Sequence, residues 1–461
     1  MRKSVSVIVS IAALLAGCAV KVPAPTSSLP TPVASPSSWV TDGQFEARWW
    51  RQFQDPVLDA LVTEAIAANR DLQAAAARVI AARELAGATR LNLLPTGGVA
   101  ASLSRQHLSE FQAQGLELPT RTGTVQRAGI DVAWEADVFG RLRGRTRAAE
   151  ADAMAAAMDA RGVQVAVAAQ VASAYYDWQG AERDLDILAN LRQQVQDLLA
   201  KTSALIAGGR LTSLDLLRVR QLDDEMVAEQ ALVAHTAERA RLRLATLTGR
   251  SPDGWSVPPT PAAALRARQL PIGQMTEVLA RRPDVGMAQA RLDAALARAG
   301  VARAELRPRI DVIGSIGLVA GGLGSLADAG ALSWLAAPRI AWSVLDLPQL
   351  RRRARAAGAL ADAAFAEYEQ ATLRALEDVR TAVDAYGAAT DRLSATQRRL
   401  DAASGAAAIV TVQYREGLVD SLARTLAERD RIVGELAASR ALTAHQQAVV
   451  DVYRSLGGGW Q

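Results

Sequence analysis

The chain has 461 residues, 52 Lys+Arg against 48 Asp+Glu, 50% apolar residues and 4% aromatic ones. A formal charge of +4 on so long a chain is no electrostatic footprint for nucleic acid, and one cysteine excludes an intrachain disulfide framework and a thiolate zinc cluster. Abundant alanine with few aromatics suits long helices packed through small side chains better than a large aromatic core.

Arg2 and Lys3 precede an apolar stretch, Val5 to Ala16, that is too short to cross a membrane as a mature helix. The run that closes it, Leu15-Ala16-Gly17-Cys18, resembles the bacterial lipobox. That resemblance implies removal of residues 1–17 and a mature N-terminus at Cys18 carrying diacylglycerol and an N-acyl chain; no other cofactor is expected. Ala19 after the cysteine argues, by analogy with other lipoproteins, for outer-membrane sorting. Cleavage removes Arg2 and Lys3 and takes the formal charge from +4 to +2. Residues 18–38, with Pro23, Pro25, Pro30, Pro32 and Pro36 among serines and threonines, read as an extended tether.

The body of the chain is a duplication. An offset of 208 residues separates Trp134 from Trp342, Gly209 from Gly417 and Gly249 from Gly457. Asp71-Leu72 and Asp284-Val285 likewise open matching helical patterns. The first repeat, 39–250, predicts a helix at about 57–92, strands at about 97–106 and 128–139, and helices at about 141–207 and 211–248. A Pro-rich linker, 251–271, follows. The second repeat, 272–461, predicts a helix at about 273–305, strands at about 309–320 and 338–346, and helices at about 348–414 and 419–456.

In the strands Ile130, Val132, Trp134 and Val138 alternate with Asp131, Ala133, Glu135 and Asp137, and Val312, Gly314, Ile316 and Leu318 follow the same period. Four such segments, near the ~9–11 residues that cross a bilayer, in an exported chain, point to a membrane barrel. Four strands cannot close one, since the smallest have about 8. An open sheet edge in lipid would leave backbone groups unpaired. Several copies must therefore share the barrel, and the pattern alone leaves dimer and trimer open. The segments His107 to Thr124 and Ala320 to Ala331 are expected as outer loops.

The helix expected from Arg141 to Ala207 contains no proline, which allows roughly 100 Å of continuous helix. Val171, Trp178 and Leu185, then Ala174, Ala181, Leu188 and Val195, recur at sevens, the period of a coiled-coil seam. Arg141, Arg143, Arg145 and Arg147 open that helix, and Arg351, Arg352, Arg353 and Arg355 open its counterpart. Cations there oppose the helix dipole, so lipid phosphates or acids of a neighbouring copy are candidate partners, beside plain solvation. His107, His235 and His445 lack metal-ligand spacing, Gly321-Gly322-Leu323-Gly324 lacks a strand-to-helix context, and no nucleophile signature occurs. No catalytic residue, no metal site and no nucleic-acid partner is expected.

Three groups of residues carry a family resemblance. They are Trp49-Trp50-Arg51-Gln52-Phe53 with Asp55-Pro56-Val57-Leu58 and Asn69-Arg70-Asp71-Leu72; Trp134-Glu135-Ala136-Asp137-Val138-Phe139-Gly140-Arg141; and Arg281-Arg282-Pro283-Asp284-Val285 with the closing Gly457-Gly458-Gly459-Trp460. Together they are similar to the TolC-like outer membrane factors, in the lipoprotein branch of RND-type (NodT-like) efflux proteins, over essentially the whole mature chain. The fold this implies is mainly α with a β-barrel part, a homotrimer whose 12-stranded outer-membrane β-barrel joins a long periplasmic α-helical coiled-coil barrel. The function it implies is a passive exit duct of a tripartite efflux system, fed by an inner-membrane pump through a periplasmic adaptor, or membrane fusion protein. The other readings are a non-porous coiled-coil spacer lipoprotein and the outer-membrane channel of a type I protein secretion or metal efflux system.

The resemblance places adaptor contact at the helix-tip turns Gly209, Arg210, Leu211 and Glu416, Gly417, Leu418. It also implies an acidic ring at the aperture. Where family members carry ring acids beyond the second tip, this chain has Ala423 and Leu426, so Asp215 and Asp420 are the candidates.

Overall fold

The computed structural model describes residues 39–41, 46–114, 120–209, 211–258, 270–271 and 275–458. Cys18, the tether, Arg210, residues 259–269 of the linker and the final Gly459-Trp460 lie outside the described residues. The chain divides into two compact units. One comprises Arg78–Ala156 and Met287–Glu369, and the other the described residues of Leu29–Ala77, Ala157–Gly286 and Gln370–Gln461.

In chain order the first repeat holds α1 (Pro56–Ala68), α2 (Arg70–Leu91), β1 (Thr96–His107), β2 (Thr122–Ala136), α3 (Arg141–Ala207) and α4 (Ser213–Leu247). The second holds α5 (Met275–Arg281), α6 (Pro283–Ala304), β3 (Arg309–Ala320), β4 (Leu332–Ala341), α7 (Leu347–Arg415) and α8 (Ser421–Ser455). Val40–Thr41 pairs in parallel with Leu270–Pro271.

Several expected boundaries move, each for a local reason. The helix expected at 57–92 is two helices, because Asn69 takes an extended backbone and accepts from the Asp71 and Leu72 amides at 3.0 and 3.2 Å. The helix expected at 273–305 is likewise divided, into α5 and α6 about Arg282. The strand expected at 128–139 begins at Thr122 and ends at Ala136. Beyond it the Asp137 carboxylate accepts from the Leu142 and Arg143 amides at 2.9 and 2.8 Å and starts α3 instead. The strand expected at 338–346 runs Leu332–Ala341, and Val344–Asp346 forms a short 3-10 turn. Of the outer loop expected from His107, Thr122 to Thr124 are paired strand and Glu110–Ala113 is a helical turn capped by Ser109.

The strand unit is one antiparallel sheet in the order β1-β2-β3-β4. Its register aligns Val99, Ile130, Ile316 and Trp334 in a row across all four strands. The next row along is Gly98, Asp131, Ser315 and Leu335. The indole of Trp134 donates to the Leu93 carbonyl (3.0 Å) and that of Trp342 to the Leu306 carbonyl (3.2 Å), so each strand pair is tied to the turn after its preceding helix in the same way.

In the helical unit the heptad seam of α3 is buried: Val171, Ala174, Ala181, Leu188 and Val195 are all within the core. The same unit buries an aromatic cluster in which Trp49 stacks on Tyr453 with ring centroids 5.4 Å apart and Phe53 packs on Tyr176. Asp55 caps α1 through the Val57 and Leu58 amides, and its second oxygen accepts from the Tyr175 hydroxyl at 2.7 Å. The repeats close their last helices with different chemistry at one place. The Asn69 amide donates to the Leu247 carbonyl (3.0 Å), and the Arg282 guanidinium donates to the Ser455 carbonyl (2.8 Å).

His445 of α8 is buried beside Tyr386 of α7, with ring centroids 5.2 Å apart. Burial disfavours its charged form and holds its pKa below the ordinary 6.5. The unfolded chain then binds the proton more tightly, so stability is complete above the unfolded pKa and is lost as pH falls through it toward the lower folded value. We expect the thermal midpoint to drop between about pH 7 and pH 5, and His445→Gln to flatten that slope. Equal slopes in the two proteins would contradict it.

Candidate functional site

The sheet has two chemically distinct faces, and the register assigns each residue to one. On the first lie Val99, Ala101 and Leu103 of β1, Ile130, Val132 and Trp134 of β2, Val312, Ile316 and Leu318 of β3, and Leu332, Trp334 and Ile340 of β4. Large apolar side chains are exposed along it, Trp334 at 73% and Ile340 at 71%. The opposite face carries Arg127, Asp131 and Glu135 of β2, Arg309, Asp311 and Ser315 of β3, and Arg339 of β4. Arg105, His107, Thr122, Thr124 and Gln126 share the first face at one end of β1 and β2, and the rest of it is an exposed apolar surface of the kind that marks contact with a membrane or another chain.

Charges on the polar face are partly paired. Glu135 accepts from the Arg141 guanidinium (3.0 Å), and Arg339 is 3.1 Å from Asp311. A hollow of about 390 Å³ lies among these groups, lined by Thr96, Glu135, Arg141, Arg309, Asp311 and Arg339. The alternation in β2 marks Asp131 and Glu135 in the sequence; Arg127 precedes the strand start that the sequence predicts, and Arg339 carries no signal of its own. Gly129 and Gly317, also on this face, stand opposite each other where β2 meets β3. A methyl group on Gly317 would meet the Ala128 carbonyl oxygen at 2.5 Å and Gly129 Cα at 2.6 Å. The two repeats thus touch backbone to backbone here.

At the far ends of α3 and α7 the chain turns on left-handed glycines, Gly209 (φ 71°) and Gly417 (φ 74°). Leu418 donates its amide back to the Gln413 carbonyl at 2.8 Å and is 73% exposed. Asp215 lies in the first turn of α4, where it accepts from the Thr212 amide (3.0 Å) and hydroxyl (2.8 Å). Those hydrogen bonds hold its carboxyl below the usual carboxylate range. Asp420 is the N-cap of α8 and accepts from the Ala423 amide at 2.7 Å.

Asp215, Asp420 and Leu211 come together on one cavity of about 680 Å³. Leu198, Leu205, Leu222 and Leu426 form its apolar wall, and Arg218, Glu225 and Arg429 add charge. Sequence reasoning missed Arg218 and Arg429; they stand one and two turns into α4 and α8, where only the packing of α3, α4 and α8 reveals a shared cavity. Gly209, Glu416, Gly417 and Leu418 do not line it. Among the described residues no helix is long and apolar enough to cross a membrane, and no cluster of three or more His, Cys, Asp or Glu is arranged to hold a metal.

Known proteins share this architecture. The profile of the family described as outer membrane efflux protein matches residues 61–250 and 275–458. The outer membrane protein OprJ of Pseudomonas aeruginosa is 30% identical over 420 residues, 89% of this chain and 86% of that protein. The toluene efflux pump outer membrane protein TtgF of Pseudomonas putida is 29% identical over 422 residues, 90% of this chain and 86% of that protein. The solved structure of the outer-membrane channel OprN superposes with a TM-score of 0.86 at 34% identity, covering 95% of this chain and 99% of that one.

Proposed function

The chain belongs to the outer membrane efflux protein family, and from that membership we propose that three copies join their sheets into one 12-stranded outer-membrane barrel. The protein is an outer-membrane exit duct of a tripartite efflux system and not an enzyme. One observation carries the shared barrel: among the described residues β1 and β4 are the outer strands of a sheet whose one face exposes large apolar side chains from all four strands. In lipid those edges require partners, and the β4 edge of one copy offers its backbone to the β1 edge of the next.

On this reading the polar face lines the lumen, and α3, α4, α7 and α8 continue the wall into the periplasm. Cys18 carries diacylglycerol and an N-acyl chain after removal of residues 1–17, an anchor additional to the barrel. The turns at Gly209, Arg210 and Leu211 and at Glu416, Gly417 and Leu418 meet the periplasmic adaptor, which links the duct to an inner-membrane pump. The pump selects the cargo. Small toxic organic compounds are the substrate class we propose, following the name of the toluene efflux relative.

Asp215 and Asp420 form the acidic aperture in this scheme, on the strength of the cavity they share. The protein in planar bilayers should conduct as a trimer with cation preference, and Asp215→Ala should weaken that preference. A monomer without conductance would defeat the duct. A conducting trimer whose cation preference is unchanged in Asp215→Ala would defeat only the ring.

A further inference from the structure

The two arginine clusters are related by the repeat, but the structure treats them differently. Trp134 and Trp342, each bonded to a carbonyl in the turn that follows α2 or α6 (Leu93 and Leu306), fix how the repeats correspond. In the first cluster the cations are answered: Arg141 pairs with Glu135, Arg143 with Asp137 (3.2 Å) and Arg145 with Glu305 (3.0 Å). The positions matching those three acids in the other repeat are Ser343, Leu345 and Asn92. Arg351, Arg353 and Arg355 keep the places of Arg143, Arg145 and Arg147. Arg352 stands where the first repeat has Gly144, whose face is pressed against Val301.

All four arginines of the second cluster are exposed, and none makes an ion pair among the described residues. From Leu347 to Ala361 there is no acid; Asp346 alone precedes them. The end of α2, which a neighbouring copy would present by the repeat symmetry, carries Arg90 and no acid beyond Glu84. Cations without an acid of their own at a helix start, where the dipole is also positive, favour an external anion over water alone. Directly beside them Trp342 (52% exposed) and Leu345 (95% exposed) prolong the apolar β4 into the same region.

We propose that Arg351 and Arg355, four residues apart on one face of α7, with Trp342 and Leu345 beside them and Arg352 and Arg353 adding charge to the same helix end, form a binding site for anionic phospholipid at the periplasmic rim of the sheet. This rests on the reading that the sheet spans the outer membrane. Guanidinium forks take the phosphate oxygens in pairs, and the indole and leucine side chains lie against the glycerol and upper acyl region. The first cluster, already neutralised by its own chain, is no such site. The asymmetry gives each copy one lipid site rather than two.

The test uses the full-length protein in non-ionic detergent and in vesicles, with phosphatidylglycerol and phosphatidylcholine as the probes. Native mass spectrometry should show phosphatidylglycerol held about tenfold or more tightly than phosphatidylcholine, given the contribution of each arginine near an anionic surface. R351Q/R352Q/R353Q/R355Q should lose that preference, while R143Q/R145Q/R147Q should keep it. Retention of the preference in the first variant overturns the site. So does displacement of the lipid by inorganic phosphate at equal concentration, which would make the cluster a general anion site. Loss of the oligomer with lipid preference intact would show instead that the arginines pair between copies, and also overturns it. Wild-type protein that inserts in vesicles without preference sinks the site alone. Failure to insert in either lipid sinks the membrane reading and the site together.

Discussion

Gly317→Val should abolish folded protein in the outer membrane and with it efflux. The residue pairs with Gly129 across the one seam, β2 to β3, that joins the sheet halves of the two repeats. Any Cβ at Gly317 lands 2.5 Å from a carbonyl oxygen and 2.6 Å from a Cα, both main-chain atoms that no rotamer change can move away. Relief requires separating the strands, which breaks ladder hydrogen bonds that lipid, on the proposed barrel reading, could not replace. Overpacking of this kind costs about 1–3 kcal/mol in an ordinary core, and the lost hydrogen bonds add to it. Alanine should be defective and valine worse. Two other glycines provide controls on the same sheet. A Cβ on Gly314 comes no nearer than 3.6 Å to the Leu335 oxygen, and one on Gly98 meets nothing within 4 Å. Gly314→Ala and Gly98→Ala should therefore accumulate as wild type. Heat-modifiable mobility of membrane extracts reads the result, and wild-type amounts of Gly317→Val would refute the seam.

The second large effect is expected at Arg282. Its side chain is 9% exposed and answers five acceptors: both oxygens of Asp284 (3.0 and 2.7 Å), Asp378 (2.8 Å), and the Ala375 and Ser455 carbonyls (3.3 and 2.8 Å). The guanidinium keeps its charge because the two carboxylates outweigh the cost of burial, which is why its pKa is raised; the same contact lowers that of Asp284. Breaking a fully buried pair costs about 3–5 kcal/mol. Here Asp284 and Asp378 are 46% and 55% exposed and regain water, so about 2–3 kcal/mol is expected for Arg282→Ala. Arg282→Lys keeps the charge but cannot serve the forked acceptors at once, so an intermediate loss should follow. Denaturant midpoints of the three proteins check the ranking; coincident wild-type and Arg282→Ala curves would remove the case.

Arg282 also shows where sequence reasoning stops. Its motif, Arg281-Arg282-Pro283-Asp284-Val285, is plain in the chain, and so is Asn69-Arg70-Asp71-Leu72, but not that both sit at equivalent helix breaks and hold the ends of α4 and α8. The expected long helices missed the breaks because apolar periodicity continues across a one-residue interruption made by capping. The strand ends erred for a related reason. Alternation locates the segment, while its limits depend on the neighbouring strand, such as Leu318 pairing with Leu332, and on the Asp137 cap. At the tip, the acids Asp215 and Asp420 were visible as residues; their capping bonds and shared cavity were not.

The duplication, the order of helices and strands, and the seam of small residues in α3 are legible along the chain, since each is a periodicity of one dimension. Tertiary structure alone decided which groups are left without partners. The arginine clusters look alike in one dimension, and only the acids brought in from Glu135, Asp137 and Glu305 neutralise the first and leave the second open. The Gly129–Gly317 contact likewise depends on two strands from different repeats meeting at one register. Charge balance and steric clearance are properties of neighbours in space, and this chain brings such neighbours from far apart, Gly129 and Gly317 across 188 positions and Arg440 and Asp184 across 256.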